Sequence, residues 1–144
     1  MIRKYIFLLA ALLQSFFAIA QHRSESDAVS VAQEFWGVKR NALKAVSREH
    51  MNKARSRIAP KQGAAPMAAY YIVNDEANGR FVIVSCDERL YTILGYSNEG
   101  AFDAETAPES LIEMLADYDT QYQSIAQNLD GIRYADTRSA TTAV

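Results

Sequence analysis

Cysteine is almost absent from this 144-residue chain: Cys86 stands alone, so no intramolecular disulfide can form and packing must supply the stability. Histidine is nearly as scarce. His22 and His50 are the only two, and neither sits in an HExxH or CxxC spacing, so no metal and no cofactor are expected. Gly79, Gly95 and Gly100 fall at turn or strand positions and form neither a GxGxxG nor a Walker loop, which excludes a phosphate cradle. Beyond residue 20 no apolar run reaches membrane length, so no membrane association is expected of the remaining chain. Basic charge is concentrated rather than abundant. Residues 21–61 hold nine Lys or Arg against four acids, whereas 62–144 hold four against thirteen. The basic half lacks the interleaved aromatics of a nucleic-acid surface, so a solvated helix face and linker is the expectation, with no nucleic-acid partner.

The few groups able to carry catalysis lack the setting for it. A reactive cysteine needs a helix N-terminus or a paired histidine to lower its pKa. Cys86 instead ends an apolar run at a corner, and both histidines lie in polar N-terminal segments; a small packed thiol is expected, and no catalytic residue. The acids Asp87 and Glu88, Glu105 and Glu109, and Asp117 and Asp119 read as corner, cap and solvated-face residues.

The chain opens with Arg3 and Lys4, an apolar run over 5–19, and small residues at Ala18 and Ala20. This is the layout of a cleavable secretory signal, with cleavage expected between Ala20 and Gln21; the run is short for a membrane anchor. Its loss takes Arg3 and Lys4 with it and moves the formal charge from −2 to −4. The expected organisation is a leader over 1–20, one domain over 21–130 and a polar tail over 131–144, exported to the periplasm or outside the cell.

Within that domain, Ser24 to Asp27 offer capping groups ahead of Ala28, Val31, Ala32, Phe35, Trp36 and Leu43, a helical spacing that predicts a helix over about 26–45. Residues 46–67, with Pro60, Gly63 and Pro66, read as a basic linker with at most a short helical piece around 50–58, and Lys53, Arg55, Arg57 and Lys61 there read as a nick site. The stretch 70–103 alternates β-branched and aromatic runs with corners at 75–79, 86–89 and 98–100, an antiparallel β-meander of three strands, with Phe102 seeding a fourth. Pro108 then opens a helix over about 108–129, with Leu111, Leu115, Tyr118, Tyr122, Ile125 and Leu129 on one face as its cover. The fold class is α+β: a meander of three to four strands packed by an N-terminal and a C-terminal helix.

The meander also carries a family likeness. An aromatic pair precedes Ile72-Val73-Asn74, and Gly79 precedes Phe81-Val82-Ile83-Val84-Ser85. Asp87, Arg89, Ile93-Leu94-Gly95-Tyr96-Ser97 and Gly100-x-Phe102-Asp103 follow in order. This pattern resembles the pro-segment of streptopain-type cysteine peptidases and the small stand-alone, Spi-like inhibitors similar to them, over about residues 26–128. Cys86 departs from the family, where glycine is usual at that corner. The resemblance implies a partner, a streptopain-like papain-fold cysteine peptidase, and a role, masking its catalytic cleft. With no catalytic cysteine or histidine segment after the pro-like region, action in trans is expected. An orphaned pro-domain that folds or docks a peptidase without inhibiting it is the alternative. The resemblance also places the inhibitory contact at the start of the last helix, at Glu105, Thr106, Glu109 and Ser110, with Ser110 near the occluding residue.

Overall fold

The computed structural model describes residues 22–58 and 69–126. The leader, its cleavage site at Ala20 and Gln21, Lys61, Leu129 and the tail lie outside them.

Helix α1, Glu25–Trp36, begins at a capping box in which the Ser24 hydroxyl accepts from Asp27 N while the Asp27 side chain accepts from Ser24 N. It stops nine residues before the expected end. Gly37 turns left-handed at φ 62° and its amide donates back to the Gln33 and Glu34 carbonyls, closing the helix. Residues 40–42 then form a 3₁₀ turn, and Lys44–Ala45 becomes strand β1. The expected linker also begins with structure: helix α2 spans Arg48–Ile58, capped by the Ser47 hydroxyl, which accepts from His50 N. Strands β2, Tyr70–Asp75, and β3, Arg80–Ser85, form a hairpin around a 3₁₀ turn over Glu76–Asn78. At that turn only Gly79 takes a positive φ, 60°. Strand β4 is Ile93–Ser97 and helix α3 is Glu109–Ile125.

The sheet is wholly antiparallel in the order β1-β2-β3-β4. The fourth strand is therefore β1, borrowed from the segment read as helix. Phe102 does not seed a strand; it is buried in the loop after β4, edge-on to Phe81 with ring centroids 5.9 Å apart.

Alternation along β2 and β3 sorts the core into two layers. Ile72, Phe81 and Ile83 face α2 and α3, meeting Met51, Ala54, Ile112, Leu115 and Tyr122. Val73, Val82 and Val84 face α1, where Ala28 and Ala32 are small enough to bring the helix onto the sheet. A sheet covered on both faces explains why its strands read as continuous apolar runs. On α3 the fully buried row is Ile112, Leu115, Asp119 and Tyr122, one residue round from the expected row; Leu111 and Tyr118 pack at its margin and Ile125 is exposed.

Two corrections concern charge. Asp119, read as solvated, is buried: it accepts from Ala69 N at 2.6 Å and pairs with the Arg55 guanidinium of α2. Arg55 is thus tied into the interior, and α2 as a helix replaces the nick site expected around Lys53, Arg55 and Arg57. Asp87, read as a solubilising corner acid, is 1% exposed; it pairs with Arg89 at 2.7 Å and accepts from the Tyr122 hydroxyl at 3.0 Å.

Candidate functional site

The segment expected to carry the contact lies between the sheet and α3. Its entry is fixed from β2. The Asn74 side chain donates to Phe102 O at 2.8 Å and accepts from Phe102 N at 3.0 Å, matching both backbone groups of one residue. With Phe102 pinned, the chain folds into a tight turn. The Asp103 carboxylate accepts from Glu105 N and from the Thr106 hydroxyl, both at 2.9 Å, and Asp103 O accepts from Ala107 N at 2.8 Å. These bonds, the Glu105 amide first, hold the Asp103 carboxyl below its ordinary pKa, so it is ionised across the neutral range.

Helix α2 holds the same turn from below. Arg57 Nη1 donates to Ala104 O at 2.9 Å and to Ala107 O at 3.3 Å. Lys53 pairs with Glu105, whose hydrogen bond and charge raise the lysine pKa. Ala104 and Ala107 are buried, which turns Glu105, Thr106, Pro108, Glu109 and Ser110 outward, all exposed. Pro108 stands at the N-cap of α3 with no side-chain cap, and its carbonyl accepts from Leu111 N and Ile112 N. The Thr106 hydroxyl bonds Asp103 and does not cap the helix. Of the four expected contact residues, Glu105 and Thr106 lie in this exposed, internally bonded turn, and Glu109 and Ser110 in the exposed first turn of α3 that follows it. Arg57, which holds the backbone of the turn before α3, and Lys53, which pairs only with the exposed Glu105 side chain, go unmarked in the sequence because they lie some 50 residues away in a segment that reads as linker. A cavity of about 450 Å³ opens beside the turn, lined among others by Ser47, His50, Asn74, Phe102 and Asp103.

The groups weighed for catalysis are placed otherwise. Cys86 is fully buried, and burial foremost pushes its thiol up to about 11, so the nucleophilic thiolate is suppressed at neutral pH. Its backbone is of ordinary negative φ, so the corner accommodates a side chain where the family usually has glycine. His22 pairs through its backbone with Asp87, and His50 Nδ1 lies 2.7 Å from the Ser47 hydroxyl that caps its own helix. Among the described residues no group of three or more His, Cys, Asp or Glu could hold a metal ion, and no helix is long and apolar enough to cross a membrane.

The structure thus presents an exposed, internally hydrogen-bonded turn on an α+β scaffold whose one cysteine is buried and protonated. Residues 20–122, well over half the chain, match the Spi protease inhibitor family, and the chain belongs to that family. The matched region runs from before α1 into α3 and includes the whole turn. No curated protein and no solved structure matches the chain.

Proposed function

We propose that this chain is exported and inhibits a streptopain-like, papain-fold cysteine peptidase in trans, laying the turn over 105–110 across the catalytic cleft. In this reading residues 1–20 are the leader, cut between Ala20 and Gln21, 21–130 the inhibitory domain and 131–144 a tail. The observation that carries it is the turn itself. Glu105, Thr106, Glu109 and Ser110 point outward from a backbone already ordered by Asp103, Asn74 and Arg57. A partner that binds a preformed turn has little loop entropy left to overcome, so a standard interface of about 1,600 Å² yields tight binding. Membership of a protease inhibitor family points the same way.

The test is to add the full chain to a streptopain-type peptidase and follow cleavage of a small substrate. Loss of initial rate, saturating at one chain per peptidase, is expected. An unchanged rate at micromolar chain would sink the inhibitor reading and leave a docking or folding module.

A further inference from the structure

A protein placed in a peptidase cleft must avoid being cut there, and the structure shows what stands in the way. Attack needs an extended backbone whose scissile carbonyl oxygen turns into the oxyanion hole. In the turn, Asp103 O is taken by Ala107 N, Ala104 O and Ala107 O by Arg57, and Pro108 O by Leu111 N and Ile112 N. The Ala107-to-Asp103 bond also curls Glu105 and Thr106 inside a closed five-residue turn, the opposite of an extended strand. Every one of these bonds but two is local to the turn or to the first turn of α3. The two exceptions both come from one guanidinium nitrogen on another element.

We infer that Arg57 is the positioning residue that makes this turn a plug rather than a substrate. It clamps two inward carbonyls, three residues apart, against α2, and so denies the cleft the extended conformation it cuts. A terminal guanidinium nitrogen suits this: it carries two N–H groups, one for each oxygen, and the planar, always charged group fixes their directions, where a lysine ammonium rotates freely. Lys53 cannot substitute, because it grips the exposed Glu105 side chain and leaves the backbone untouched. The inference rests on the inhibitor reading for its biological meaning, but the clamp is testable apart from it.

The experiment compares the full-length wild type with Arg57→Gln, Arg57→Lys, Lys53→Gln and Asp103→Asn. Each is exposed to papain, and cutting at the bonds from 103 to 108 is timed by mass spectrometry. Thermal unfolding is recorded alongside. Loss of two hydrogen bonds from a charged donor opens the turn more often, and Arg57→Gln is expected to raise the cutting rate at these bonds about tenfold. Arg57→Lys should fall between Arg57→Gln and wild type, and Lys53→Gln should stay within about twofold of wild type, as exposed ion pairs do. A folded Arg57→Gln cut no faster than wild type overturns the inference, as does a Lys53→Gln that is cut equally fast. If Arg57→Gln does not fold, Asp103→Asn loosens the same turn from its exposed side; unchanged cutting in that variant is equally fatal. Failure of the wild type to slow a streptopain-type peptidase would remove the inhibitor reading alone, since the papain rates report the clamp directly.

Discussion

Three carboxylates set the chemistry of the interior. Asp75, Asp87 and Asp119 are each 3% exposed or less, and each is matched to an arginine: Arg80, Arg89 and Arg55. Burial by itself would raise the pKa of Asp75 and Asp87. Against it, Asn78 and Arg80 at Asp75, and Arg89 and the Tyr122 hydroxyl at Asp87, hold both below the ordinary value. A carboxyl depressed in the folded state binds fewer protons there than in the unfolded chain. Its stabilisation is therefore present above the unfolded pKa, about 3.9, and lost as pH falls through the lower folded value. The melting temperature is expected to be flat between about pH 5 and 8 with respect to these groups and to fall below about pH 4. Asp87→Asn should lower stability at neutral pH by about 3 kcal/mol, since it removes the buried carboxylate that pairs with Arg89, and should shallow the acid limb. An acid limb in Asp87→Asn identical to wild type would show that Asp87 is not a source of it. Arg80 has a second task, lying 4.1 Å above the Trp36 ring and so joining the hairpin to α1.

At the scale of elements, the decisive event is the end of α1. Apolar spacing continues past Trp36 to Leu43, which is why the sequence predicts one long helix; Gly37 breaks it, and Leu43 is buried from outside the helix instead. The nine residues released, 37–45, form the 3₁₀ turn and the two-residue strand β1, which adds a fourth strand to the sheet and leads into α2 on the opposite face. A Cβ at Gly37 would meet nothing within 4 Å, so Gly37→Ala isolates the backbone cost of a left-handed residue. Urea unfolding should register a loss of about 1–2 kcal/mol. A loss under about 0.3 kcal/mol would mean the cap is not held left-handed. Helix α2 was hardly legible for a different reason: it buries only Met51 and Ala54, with Ile58 packed at the margin, and its remaining contacts are polar ones made by Lys53, Arg55 and Arg57, so only a short apolar stripe marks it. Asp119 hid in the same way. Two positions from the exposed Asp117, it sits on the helix face that looks inward, where Arg55 and the Ala69 amide make its burial tolerable.

Across the whole molecule, the exposed turn is a joint product of β2, α2 and the approach to α3, and it is there that contact with a peptidase is expected to be felt. Ser110 is exposed in the first turn of α3 and no described partner constrains its side chain. Ser110→Arg should therefore leave the melting temperature within about 1 °C, while weakening inhibition of a streptopain-type peptidase about 30-fold, as the loss of a hot-spot contact does. Unaltered inhibition by Ser110→Arg would move the contact off the start of α3. The residues alone determined the α+β class, the hairpin and its corners, the amphipathic last helix and the family pattern, because these follow from local periodicity, turn chemistry and residue order. They also placed Glu105, Thr106, Glu109 and Ser110 on one stretch of chain. Tertiary structure decided what that stretch is. The clamp from Arg57, the seat of Phe102 on Asn74 and the burial of Asp87 and Asp119 all join positions 28 to 50 residues apart. A hydrogen bond or ion pair at that separation leaves no period in the sequence, and it forms only when packing brings its two ends together.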